Sequence, residues 1–82
     1  MFEVKVNVTL KKTVVDPQGL TVKHALDSLG YKGLDEVRVG KLVTFKLDLN
    51  DKVQAEKQVA EMCQKLLANP IIEDYTYIIS EA

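Results

Sequence analysis

The sequence predicts an α+β domain of two layers, a four-stranded antiparallel sheet with two helices on one face. Three observations predict it. Side chains alternate apolar and polar with period two over 2–10, 36–49 and part of 71–79, which is the mark of half-buried strands. Two intervening stretches carry apolar residues at helical spacing. Helix punctuation brackets those stretches: Asp16-Pro17 and Asp51 at the starts, Gly30 and Asn69-Pro70 at the ends. The order β-α-β-β-α-β is the split βαβ, or ferredoxin-like, arrangement. Right-handed crossovers then put both helices on one face and leave the other open.

The first strand has Phe2, Val4, Val6, Val8 and Leu10 on one face and Glu3, Lys5, Asn7 and Thr9 on the other. After a connection over 11–15, Asp16 is placed to accept from free amides of a first helical turn, with Pro17 at the position where a missing N–H costs nothing. A helix therefore starts at Pro17, with an apolar stripe of Val22, Ala25, Leu26 and Leu29, and ends at Gly30. A loop containing Gly33 leads to Glu36–Leu49, which reads as a hairpin at the middle of the sheet. A loop of Gly40, Lys41 and Leu42 would pair Val39 with Val43 and Val37 with Phe45, keeping the apolar residues on one face. The second helix begins after Asp51, which with Gln54 resembles a capping box. Its stripe is Ala55, Val59, Met62, Cys63, Leu66 and Leu67, and Asn69-Pro70 stops it. The last strand, 71–79, is less regular: Tyr75, Tyr77 and Ile79 share a face while Ile72 and Ile78 lie on the other, so something outside the monomer is expected to cover part of that second face.

Length bounds the chain to a single domain, 1–82, with a modest core, and chains of this size often depend on association. The formal charge of −1, with both signs interspersed, argues against nucleic-acid binding. One cysteine, no signal-peptide pattern and no apolar run long enough for a membrane span point to a cytoplasmic protein.

Catalytic chemistry has little to stand on. His24 is the only histidine and reads as a helix residue, while Cys63 lies on the apolar stripe of the second helix as a small hydrophobe. RNA-recognition domains of this fold stack bases on open-face aromatics. Here the corresponding positions are Lys5, Asn7, Thr9, Thr44, Lys46 and Asp48. Asp35-Glu36 and Glu73-Asp74 read as solvated edges, and the glycines do not form a phosphate loop. No catalytic, cofactor-binding or metal-ligating residue is expected.

Four stretches in register resemble one family: Asp16-Pro17-Gln18-Gly19, Val37-Arg38-Val39-Gly40-Lys41, Cys63-Gln64-Lys65-Leu66-Leu67-Ala68-Asn69-Pro70 and Ile72-Glu73-Asp74-Tyr75. Together they resemble PurS, the small subunit of phosphoribosylformylglycinamidine (FGAM) synthase. That resemblance implies a non-catalytic part in purine synthesis. The family's complex makes formylglycinamidine ribonucleotide from formylglycinamide ribonucleotide, glutamine and ATP. PurQ releases ammonia, PurL uses ATP and magnesium to accept it, and PurS joins the two. No ATP, magnesium or other cofactor is implied in this chain.

Residues Asp16, Pro17, Gln18, Gly19, Arg38 and Lys41 are the expected partner contacts, because Gln18 and Gly19 follow from no helix rule and a close backbone approach would account for the glycine. A homodimer or tetramer, formed through the mixed charges of the open sheet face, Lys5, Arg38 and Lys46 facing Glu3, Asp48 and Asp74, is expected as well. The competing class is an ACT-like dimeric regulatory domain that binds an amino acid against Val15–Gly19.

Overall fold

The computed structural model describes residues 1–82. Its elements are β1 (Phe2–Leu10), α1 (Pro17–Ser28), β2 (Lys41–Leu47), α2 (Lys52–Met62) and β3 (Glu73–Glu81), with α2 running on into a π-helical turn over Cys63–Leu67. The sheet is antiparallel with the order β2-β1-β3. Opposite Val4, Val6 and Val8 stand Phe45, Val43 and Lys41 on one side and Ile79, Tyr77 and Tyr75 on the other. This register keeps the alternating apolar residues of all three strands on one face. Val4 and Val6 are fully buried there, under Val59, Cys63 and Ala68 of the second helical segment.

Both helix starts form as the sequence dictates. Asp16 accepts from the Gly19 amide at 3.0 Å, Pro17 opens α1, and Asp51 accepts from the Val53 amide at 3.0 Å. At the end of α1 the Tyr31 amide donates to the Leu26 carbonyl and the Gly30 amide to that of Asp27, each at 3.1 Å. This doubled bond is a Schellman motif, and Gly30 supplies the φ of +99° that it needs. The π-helical turn closes with the Ala68 amide donating to the Cys63 carbonyl at 2.9 Å, five residues back, before Asn69-Pro70 ends the segment.

Two expectations are corrected. The sheet has three strands and not four: 36–40 forms no strand, and the hairpin about Gly40 does not exist. Glu36 sits at φ +49°, which turns the chain, and the Val39 amide that would have joined a ladder donates to the Asp16 carboxylate at 2.8 Å. Consequently β1 is the centre of the sheet and β2 is an edge. The second correction concerns α1, which does not share the sheet face with α2. None of its residues belongs to the core, and only Gly19 in it is buried.

The molecule is accordingly long, 49 × 27 × 15 Å. Its radius of gyration is 16.1 Å, against about 12 Å for a compact chain of this length. Its accessible surface is 6025 Å², against about 4,900 Å² for a monomer of this mass. The fold holds α1 out as an arm.

Candidate interaction site

The base of the arm is tied down by Asp16. Its carboxylate accepts from the Gly19 amide within its own helix and from the Val39 amide of the returning chain, so one side chain joins the two ends of the excursion 17–38. Those two amides, that of Val39 first, hold its carboxyl below the ordinary value of 3.8, against the opposing effect of burial and with help from Arg38. Arg38 completes the tie: its guanidinium donates to the carbonyls of Val14 and Lys12, both at 2.8 Å. Those carbonyls lie in a connection with no ladder of its own, so a forked donor orders it.

Gly19 and Gly40 mark the two close approaches of the clasp. A Cβ on Gly19 would run into the Val37 carbonyl oxygen, and one on Gly40 would lie 2.5 Å from the Val8 carbonyl oxygen. The backbone that approaches Gly19 therefore belongs to the chain itself. Of the six residues singled out in the sequence, Asp16, Gly19 and Arg38 are engaged within the clasp, and the structure brings them together. Pro17, Gln18 and Lys41 are exposed beside it. Arg38 does not lie on the open sheet face, where its charge had been expected to take part in self-association.

Beside the clasp is a shallow cleft of about 380 Å³. Lys12, Lys23 and Arg38 line it together with Asp16, Asp35 and Glu36, so neither sign of charge dominates. The loop that an ACT-like domain would offer to an amino acid is engaged, because Asp16 closes it onto Val39.

A second surface escaped the sequence reading. Phe45 of β2 and Met62, Leu66 and Leu67 of the second helical segment line an open groove of about 540 Å³. Leu66 is 82 % exposed, although it lies on the stripe read as core. The breadth of that stripe was the available signal. Ala55, Val59 and Cys63 form one buried line along the helix, which leaves Met62 and Leu66 a further turn of arc around it, beyond what three strands cover.

No group of three or more His, Cys, Asp or Glu is placed to hold a metal ion, and no helix is long and apolar enough to cross a membrane. Fold and surface together define a small α+β interaction module, a one-helix core carrying a clasped arm and an unfilled apolar groove.

The comparisons with known proteins say which module. The family model described as PurS, phosphoribosylformylglycinamidine (FGAM) synthase, matches residues 3–81. The PurS subunit of Bacillus subtilis is 47 % identical over 81 residues, which covers 99 % of this chain and 95 % of the relative. PurS of Methanocaldococcus jannaschii, one of the subunits of formylglycinamide ribonucleotide amidotransferase in the purine biosynthetic pathway, superposes with a TM-score of 0.88 at 36 % identity. That match covers all of this chain and 99 % of the other. A chain in the structure of PurLQS from Thermotoga maritima superposes with a TM-score of 0.87 at 26 % identity, covering 96 % of each. The chain belongs to the PurS family of FGAM synthase subunits. This sets aside the amino-acid-binding alternative.

Proposed function

We propose that this chain joins the glutaminase subunit PurQ to the synthetase subunit PurL and so assists ammonia transfer between them. It does so as a homodimer or tetramer in the cytoplasm. The observation that carries this reading is the full-length likeness to a chain of the Thermotoga maritima PurLQS structure. The physical role follows from the reaction. Ammonia set free from glutamine must reach the ATP-activated amide before it is lost to water. Holding donor and acceptor sites in one geometry replaces a dilute encounter with an effectively intramolecular step. ATP and magnesium belong to the PurL partner in this scheme, and this chain supplies contact surface. Pro17, Gln18 and Lys41, exposed at the edge of the clasp, are the contact candidates left free for that purpose, with Asp16, Gly19 and Arg38 shaping the corner beneath them.

The test assays PurL with ammonium chloride, and PurL plus PurQ with glutamine, each with and without this chain. Omission should abolish glutamine-dependent synthesis and leave most ammonia-dependent synthesis intact. Equal loss of both would show that the chain supports the synthetase chemistry itself.

A further inference from the structure

The outer edge of β3 is long and unprotected, and the register says which of its main-chain groups point outward. The Lys11 amide donates to the Ile72 carbonyl at 2.8 Å, and the Ala82 amide to the Met1 carbonyl at 3.1 Å. Pairing runs between those two points without a bulge, so Thr76 and Ile78 bond to β1 while the amides and carbonyls of Tyr75, Tyr77 and Ile79 face away from it. Nothing in the chain meets them. The strand is nine residues, about 30 Å, with no proline, glycine, lysine or arginine in it. Lysine on an edge strand hinders pairing with a further strand. The other edge, β2, carries Lys41 and Lys46, and β3 has no such guard.

We propose that the edge of β3 takes up an extended segment of a partner subunit as the fourth strand of the sheet, a segment apolar at its middle with lysine or arginine at both ends. This rests on the reading of the chain as a joining subunit and supplies a contact for it. Charge selects the occupant. Two copies of β3 paired antiparallel about Tyr77 bring their outward groups together but set Glu73 of each opposite Glu81 of the other. Like charges directly opposite repel, so a second copy fits poorly. Lys11 already meets Asp74 at 2.7 Å, which leaves Glu73 and Glu81 as the acidic ends that a basic-ended strand would match. Between those ends the neighbours are apolar on both faces. Tyr75, Tyr77 and Ile79 are half-buried on the core side, and Ile78 is 61 % exposed on the other. Main-chain bonds along the edge give the affinity in such an addition, and the side chains give the choice of segment.

The experiment follows amide hydrogen exchange at residue resolution, in the chain alone and in its complex with PurL and PurQ. Alone, Tyr75, Tyr77 and Ile79 should exchange at least about tenfold faster than Thr76 and Ile78, whose amides sit in the ladder. In the complex the same three should slow by about tenfold or more. Glu81→Lys reverses the charge at one exposed end of the strand, so it should leave the circular dichroism unchanged and weaken assembly about fivefold to tenfold. Protection of Tyr75, Tyr77 and Ile79 in the chain alone would place a second copy on the edge and overturn the proposal. A complex that forms while those amides still exchange fast overturns strand addition and leaves the joining reading standing. A Glu81→Lys chain that assembles as tightly as the unmodified one overturns the basic-ended occupant. A chain that does not assemble with PurL and PurQ overturns the joining reading and this proposal with it.

Discussion

Asp16 does two things that a helix cap alone does not. It closes the first turn of α1 through Gly19, and it captures Val39 from a segment 23 residues further on. A carboxylate bound by two amides is favoured in its charged form, so its folded pKa lies below the ordinary value of 3.8. The sign of the linkage follows: the stabilisation is fully present above pH 3.8 and is lost as pH falls through the lower folded value. The amide resonances of Gly19 and Val39 should therefore titrate together with a midpoint below 3.8, and a midpoint at or above that value would mean the clasp is not formed. At Gly19 the constraint is steric. An alanine there would drive its methyl group into the Val37 carbonyl, a backbone atom with no freedom to swing away. Gly19→Ala should cost about 1–3 kcal/mol, as overpacking does, and should abolish the Val39 protection. Gly33→Ala is the control. Gly33 sits at φ +81° with nothing near its Cβ position, so it should cost only the strain of a left-handed residue, about 1 kcal/mol, and leave the clasp intact.

At the scale of elements, β1 and the second helical segment carry the core between them. Val59 is fully buried against Val4, Val6 and Val8. Val59→Ala removes two buried carbons and leaves a cavity, a loss of about 2 kcal/mol that a urea midpoint would read. The helices were legible in the sequence because their ends are written in local chemistry: Asp16-Pro17 and Asp51 cap, Gly30 takes the left-handed turn, and Pro70 stops. The strands β1 and β3 were legible because alternation survives whatever lies next to them. The fourth strand was misread for the same reason. Alternation of Val37 and Val39 implies an extended backbone but not the partner of its amides, and that partner is a carboxylate 23 residues earlier. Glu36, at φ +49° after Asp35 accepts from its amide, has no residue type that announces such a turn. Of the site, the Asp16–Gly19 corner was visible as a glycine that no helix rule required. The groove was hidden, because filling it depends on where α1 goes and helical periodicity is silent about that.

The whole molecule is short of core. Ten of its 82 residues are buried, and the sheet is covered by one helical segment. Stability on this scale is a small difference between burial and chain entropy, so an elongated chain with half-buried Val43, Phe45 and Leu47 along one edge draws much of its stability from whatever covers them. If that cover is a second copy, folding and association are linked by mass action, and the melting temperature must rise with protein concentration. A hundredfold increase adds about 2.7 kcal/mol per mole of dimer, shared between two chains, which for a domain of this size is a rise of about 5–10 °C. Calorimetry at about 2 and 200 µM spans that range. Leu66→Glu sets a charge in the apolar groove, and if that groove is the surface a second copy covers, it should flatten the dependence and lower the melting temperature at both concentrations. A melting temperature that is the same for the unmodified chain at both concentrations would mean that the chain folds with its arm and groove exposed and without a second copy.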